Sequence, residues 1–405
     1  MELVSPAGNL EKLKYAYLYG ADAAYIGLGG FSLRAQADNF TPDDLAAAAA
    51  LKNGRKLYGA FNVAFSDERL AALEAVLPRL PAGAFDAFIL SDPGAVALFR
   101  RHFPRTPLHL STQANCTNAA AALVYRDLGF TRVIAARELN LREIEVMKTK
   151  TGLEIEVFVH GAMCLSYSGR CHLSAWLAGR SANHGDCAHS CRWEYRVLEE
   201  SERPGEYLPV VEGSDFTSLL SSKDLCLIDH LDRLRDAGVD AVKIEGRMKS
   251  AYYTAVTARA YRRGIDISLG RSTEDLTPYK ADLWNVSHRE FSTGFLFGKE
   301  DIERPTLESY HRQYLFMGAV GEQTGPDEYR LDVKNRLTAG ESIEYVGYDV
   351  PFLADSTYRL LDESRAAVPH VNHGCAAFLK TDQPVKPGYL IRKINKTGRR
   401  ATESW

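Results

Sequence analysis

The sequence predicts an α/β protein: a TIM (β/α)8-type barrel with a cysteine-rich insertion after its seventh strand, followed by a small C-terminal all-β barrel module. Three observations predict it. Residues 1–265 hold eight short apolar runs, each followed by an amphipathic stretch. Four cysteines fall between Cys164 and Cys191, after the seventh apolar run. From about residue 311 the texture changes to short β-like runs divided by Gly, Pro, Asp and Asn.

The units run in order along the chain. ELVS (2–5) precedes NLEKLKYAYLYG (9–20), and DAAYIG (22–27) precedes TPDDLAAAAALKNG (41–54). KLYGAFNV (56–63) precedes SDERLAALEAVLPRL (66–80), and DAFIL (86–90) precedes DPGAVALFRRHF (92–103). LHLS (108–111) precedes NAAAALVYRDLG (118–129), and RVIAA (132–136) precedes NLREIEVMKTKTG (140–152). EIEVFVH (154–160) precedes an insertion over 160–220 and then a helix expected over 221–238. DAVKIEG (240–246) precedes KSAYYTAVTARAYRRG (249–264). Asn9, Thr41, Ser66, Asn118, Asn140 and Ser221 stand where helices begin and suit N-caps. Gly20, Gly54, Gly129, Gly152, Gly238 and Gly264 stand where they end. Repeated βα units with apolar strands imply a parallel sheet covered by helices, and eight of them over about 250 residues make a TIM barrel. An open doubly wound sheet is the competing arrangement, but SPAGN (5–9) is not its GxGxxG phosphate loop. Residues 266–310 read as a helical connection. Residues 311–405 read as a barrel of five or six strands, with runs at 314–321, 328–334, 342–347, 375–380 and 389–394. A basic tail follows, with Arg392, Lys393, Lys396, Arg399 and Arg400, and reads first as a solvated end.

The 405 residues carry 49 Lys and Arg against 52 Asp and Glu, a net charge of −3. This excludes a basic nucleic-acid coat, so any contact with nucleic acid must come from a local patch. The opening MELVSPAGNLEKL does not read as a signal peptide, and no apolar run is long enough to span a membrane. A cytoplasmic protein with reduced thiols is expected.

TIM barrels place chemistry at the C-terminal strand ends. Those ends here are Ser5, Gly27, Asn62, Asp92, Gln113, Arg137, Glu138, His160, Glu245 and Arg247. His160 is a candidate general acid or base, with Arg137 and Glu245 the other candidate catalytic residues. Asn62, Gln113, Glu138, Arg170, Lys243 and Arg247 are candidate substrate-binding residues. KIEGRMKS (243–250) sets basic groups on both sides of a carboxylate, the pattern of an anion site or of a structural ion pair, and Arg137 and Arg247 can each grip a carboxylate.

The insertion spaces its cysteines C-x6-C-x15-C-x3-C: Cys164, Cys171, Cys187 and Cys191. Four thiolates suit zinc or an iron–sulfur cluster, and the wide first pair fits a cluster better. No C-x3-C-x2-C run is present. Cys116 and Cys226 are alternates or buried apolar thiols, and Cys375 is expected to be packed.

Glu156-x-Phe158-x-x-Gly161-Ala162-Met163-Cys164 followed by Gly169-x-Cys171-x-Leu173-Ser174 resembles the signature of the collagenase-like peptidase U32 family. SPAGN (5–9), STQAN (111–115), REL (137–139) and KIEGR (243–247) are similar to that family's other motifs, and the resemblance covers essentially the whole chain. CRWEY (191–195), RPGEY (203–207) and SSKDL (221–225) resemble the branch that forms 5-hydroxyuridine at the wobble position of tRNA. The resemblance implies an oxygen-independent hydroxylase with a [4Fe-4S] cluster on Cys164, Cys171, Cys187 and Cys191. It implies prephenate, a small dianionic acid, as co-substrate and hydroxyl donor, and tRNA as partner. Sister branches hydroxylate a 23S rRNA cytidine or the ubiquinone ring, and the family name implies a peptidase. No HExxH helix or GxSxG elbow supports the peptidase. A non-catalytic RNA-binding module with a metal staple is a further alternative. Trp176, Trp193 and Tyr195 are placed to border the mouth and hold a splayed base, or to pack the insertion. Arg170, Arg180, Arg192, Lys249 and the tail are placed for phosphates. Nothing in the sequence identifies an electron donor.

Overall fold

A computed structural model describes residues 1–34, 38–164, 166–192, 211–212, 217–218, 222–298 and 313–395. Eight parallel strands close into a barrel. They are β1 (Glu2–Pro6), β2 (Ala23–Gly27), β3 (Lys56–Phe61), β4 (Ala87–Leu90), β5 (Leu108–Leu110), β6 (Phe130–Ile134), β7 (Glu154–Ala162) and β9 (Ala241–Ile244). The order β9-β1-β2-β3-β4-β5-β6-β7 is closed by β9 pairing with β7. These are the eight apolar runs of the sequence. Their residues are mostly buried, as expected for strands covered on both faces.

Helices α1 (Leu10–Leu18), α2 (Leu45–Leu51), α3 (Asp67–Val76), α4 (Val96–His102), α5 (Ala119–Asp127) and α6 (Leu141–Thr151) return the chain between the strands up to β7. The side chains of Asn9, Ser66, Asn118 and Asn140 accept the N–H groups of Lys12, Arg69, Ala121 and Glu143, each capping its helix. After β9, α9 (Ala251–Ser268) covers the barrel wall. It runs past Gly264, which lies inside the helix at a close approach to α8 (Leu231–Asp236), where a Cβ would stand 2.7 Å from the Leu231 side chain.

The helix expected over 221–238 is only partly formed, and Ser221 lies outside the described residues. Strand β8 (Asp224–Cys226) forms first, and helix α8 is confined to Leu231–Asp236. The cause is β7, which overshoots the barrel. Its last residues pair antiparallel with β8, Ala162 opposite Asp224 and His160 opposite Cys226, and β10 (Phe291–Ser292) extends the same sheet. Asp224 is fixed there by Arg289 at 2.7 Å.

The C-terminal part is a separate all-β module, as expected, and its strands form one eight-stranded antiparallel sheet with a separate two-stranded ribbon, 337–338 with 370–371. The sheet's edge strands, 353–355 and 367–368, do not pair with each other among the described residues. Two- and three-residue strands in the turn-rich stretch 353–371 carry too little alternation to be read from sequence. Met317, Leu331, Tyr345, Leu379 and Ile391 form its core. Arg392, expected in a solvated tail, is buried and salt-bridged to Asp282 (2.6 Å), on helix α10 (Thr277–Asp282), and to Glu344 (2.7 Å). Tyr19 of the barrel donates to the Val346 carbonyl at 2.7 Å, so the sheet is fastened to the barrel at several points. Lys396, Arg399 and Arg400 lie outside the described residues. Cys116 is buried, whereas Cys375 is exposed rather than packed. Among the described residues no helix is long and apolar enough to cross a membrane.

Candidate active site

The strand ends and the insertion enclose one cavity. It is lined by Arg34, Asn62, Gln113, Arg137, Glu138, Lys243, Glu245 and Arg247 together with the four cysteines of the insertion.

Alternation along β9 turns Lys243 and Glu245 inward and Ile244 outward. Lys243 donates to Glu156 at 2.7 Å, and Arg132 meets the other oxygen of Glu156 at 2.9 Å. Arg132 also reaches Glu2 and Glu154, each at 2.8 Å. Lys243 therefore lies on the cavity floor with its charge already matched, the structural ion pair that its spacing also allowed. Burial holds Lys243 below the ordinary lysine value. Burial opposes ionisation of Glu156, but Lys243 and Arg132 outweigh it and hold the carboxyl below its usual range.

Glu245 sits one step higher. Arg34 approaches it at 3.3 Å and Arg137 at 3.5 Å. Burial again opposes its charge, and Arg34, Arg137 and Arg247 hold it ionised. The sequence reading missed Arg34. It lies in the loop after β2 with φ +74°, outside any periodic element, so no pattern marks it. Arg247 is 4% exposed and donates to the Ser32 hydroxyl at 3.1 Å; no carboxylate among the described residues lies within ion-pair distance. The room for it comes from Gly27, where a Cβ would stand 1.8 Å from the Arg247 Nη1. Three guanidinium groups face Glu245, which leaves this wall a surplus of two positive charges.

On the opposite arc, Asn62 accepts from the Leu33 N–H at 3.1 Å and donates to Ser111 at 3.4 Å, with Gln113 beside it. Glu138 is engaged by the insertion. It accepts from the Ser168 N–H at 2.8 Å and from the Ser168 hydroxyl at 3.1 Å. Next to it Gly169, at φ +73°, packs so closely that a Cβ would stand 2.1 Å from the Gln113 carbonyl. The Cys164–Cys171 loop is thus pinned to the ends of β5 and β6. Arg170 does not line the cavity; it lines an adjoining groove.

His160 is the clearest departure from the expected mouth position. The β7–β9 register slips by one residue, pairing Lys243 with Phe158 but Ile244 with His160. This bulge turns His160 away from the barrel axis. It is 1% exposed, between Tyr253, Tyr261 and Phe291, and does not line the cavity. Burial pushes it down to about 3, so it is neutral.

The thiols of Cys164, Cys171, Cys187 and Cys191 all face the cavity. Cys164 and Cys171 share a hydrogen bond, which pushes Cys164 up and Cys171 down to about 5. Among the described residues no three His, Cys, Asp or Glu side chains are close enough to share one metal ion. Four thiols lining one cavity are the donor set of an iron–sulfur cluster or of a tetrahedral zinc. Trp176 is 80% exposed on helix α7 (Leu173–Ala178) and does not line the cavity. Arg180 is paired with Asp186 at 2.7 Å, and Lys249 donates to the Ser287 carbonyl at 3.3 Å. Trp193, Tyr195 and the Arg192 side chain lie outside the described residues.

The profile of peptidase family U32 matches residues 8–306, and that of the peptidase family U32 C-terminal domain matches 312–392. The chain is similar to the tRNA hydroxylation protein P of Escherichia coli, 37% identical over 98% of this chain and 97% of that one. It is similar to the tRNA hydroxylation protein P1 of Bacillus subtilis, 34% identical over 97% and 94%. It also resembles a 23S rRNA 5-hydroxycytidine synthase of Escherichia coli, 37% identical over 66% of this chain and 39% of that one.

Proposed function

This chain belongs to peptidase family U32, and on that premise we propose that it is an RNA hydroxylase forming 5-hydroxyuridine at the wobble position of tRNA without molecular oxygen. Two relatives matched over nearly their whole length are named for tRNA hydroxylation, and a third for a hydroxylated pyrimidine of rRNA. The observation that carries the reading is the shared cavity: four thiols and a surplus of guanidinium groups face one space at the catalytic end of a barrel.

Cys164, Cys171, Cys187 and Cys191 would hold a [4Fe-4S] cluster, which when bound supplies one-electron transfer beside the substrate. The remaining roles belong to side chains. Arg247 takes one carboxylate of a small dianionic acid, for which we propose prephenate, and Arg34 and Arg137 take the second. Glu245, held ionised, orients Arg34 and Arg137 at the edge of the cavity. Asn62 and Gln113 offer amide donors and acceptors to the edge of a pyrimidine that has left its stack. Glu138 holds the cysteine loop rather than substrate. No histidine lines the cavity among the described residues, so a hydrolytic nucleophile there would lack an imidazole base.

Nucleoside mass spectrometry of tRNA and rRNA from a deletion strain tests the substrate. The expected result is loss of 5-hydroxyuridine and its derivatives from tRNA with rRNA unchanged. Loss of 5-hydroxycytidine from rRNA alone moves the substrate to rRNA, and unchanged nucleosides reject the reading. Protein purified without oxygen should be brown, with about four irons per chain; colourless protein with one zinc rejects the cluster.

A further inference from the structure

The cavity continues into two depressions on different arcs of the barrel rim. A groove of 280 Å³ at the β3–β5 arc shares Asn62, Gln113, Gly169 and Asn183 with it. A wider groove of 790 Å³, lined by the stretch after β6 and by 295–298, shares Glu138, Tyr167 and Phe295. The loop between Cys164 and Cys171 divides them, giving Arg170 to the first and Tyr167 to the second. Each groove couples an aromatic ring with a guanidinium. Tyr125 and Arg170 line the first. In the second, Arg233 lies 4.3 Å over the ring of Phe297, and both Phe297 and Tyr167 are exposed.

We propose that this rim is a track for three consecutive unpaired nucleotides of one RNA strand, with the middle base in the cavity and its two neighbours in the grooves. The proposal rests on the hydroxylase reading and specifies its substrate as a single-stranded segment rather than a free nucleoside. Unpaired bases are held by stacking on aromatic and guanidinium planes, the pairing each groove offers. Both grooves are continuous with the cavity, so one backbone can cross without leaving the surface. Asp92 in one groove and Glu143 and Glu145 in the other make neither a plain cationic channel, so stacking rather than charge must supply most of the grip.

The test uses the full chain with its metal centre and its acid co-substrate. Three RNAs are compared: uridine monophosphate, a trinucleotide centred on uridine, and an anticodon stem–loop. The trinucleotide should serve with a KM within about tenfold of the stem–loop and far below that of the mononucleotide. Tyr125→Ala and Phe297→Ala should each raise the trinucleotide KM about tenfold, with the KM for the acid unmoved. A trinucleotide no better than the mononucleotide, or one not used although the stem–loop is, overturns the track. So does an unchanged trinucleotide KM in both variants. A wild-type protein that hydroxylates none of the three refutes the hydroxylase reading itself.

Discussion

Replacing Gly27 by alanine displaces the proposed anion-binding group without removing any charge. Gly27 ends β2 outside the left-handed region, so alanine brings no backbone strain. Its Cβ would stand 1.8 Å from the Arg247 Nη1 and 2.1 Å from the Ser32 hydroxyl. Ordinary contact needs about 3.5 Å, so the guanidinium has to retreat by roughly 1.5 Å. A charge-assisted hydrogen bond contributes about 1.5–3 kcal/mol, and losing it weakens binding of the acid by about 10- to 150-fold. Crowding the core costs about 1–3 kcal/mol, which leaves a folded variant to study. Calorimetric titration with prephenate, beside a thermal melt, measures both effects. Arg247→Ala should weaken the acid comparably, and the double variant should be little worse than either, because both changes act on one group. A folded Gly27→Ala protein with wild-type affinity for the acid would refute the anion site.

Three further outcomes follow from the same geometry. Glu138→Ala leaves the buried Ser168 N–H without its acceptor, at a cost of about 1–3 kcal/mol, so that amide should exchange faster and iron should be lost faster in air; unchanged exchange removes Glu138 as the loop's anchor. Glu156→Gln strands the buried charge of Lys243, while Arg132 keeps Glu2 and Glu154, and should cost about 3–5 kcal/mol in urea unfolding, against under 1 kcal/mol if the pairing is incidental. Because folding lowers the Glu156 pKa from 4.5, its contribution is present above that pH and lost as pH falls through the lower folded value, so the variant's stability should vary less there. His160 has a folded pKa of about 3 against 6.5 unfolded, so its contribution is present above pH 6.5 and is lost as pH falls toward 3. His160→Phe should flatten that acid limb while kcat/KM stays within about twofold, and a large fall in kcat with folding intact would return His160 to the chemistry.

The barrel was legible because each strand is a short apolar run closed by a capped helix, a signal that stays within one segment of chain. The grouping of four cysteines at one cavity was legible for a related reason: thiols are few, and these four fall in one short insertion. The failures depend on relations between segments. Alternation from Glu156 through Phe158 carries His160 to the barrel interior on paper, and only the pairing with β9 shows the extra residue that turns it out. Asp224–Cys226 carries no strand signature, because what makes it a strand is the free edge of β7 beyond the barrel. Arg34 is a lone basic residue in a loop, and its meaning comes from Glu245, 211 positions away. Glu138 was placed at the mouth correctly in space, but its partner Ser168 belongs to a loop whose docking cannot be read from spacing.

The treatment of buried arginines separates Arg247 from the rest. Among the described residues five arginines are buried: Arg132, Arg247, Arg259, Arg289 and Arg392. Arg132 pairs with Glu156, Arg259 and Arg392 with Asp282, and Arg289 with Asp224. Arg247 alone has only a hydroxyl. A desolvated cation without a counter-charge costs several kcal/mol, and this fold supplies counter-charges to its other buried arginines. Glu245 is the one acid nearby, but it is already shared between Arg34 and Arg137. A side chain at position 27 would remove the space that Arg247 occupies, and a glycine keeps it open. A purely structural arginine would gain from a partner and would need no such space. An arginine that must exchange its partner, holding an anion in one state and releasing it in the next, requires a weak resident ligand, and the Ser32 hydroxyl is one.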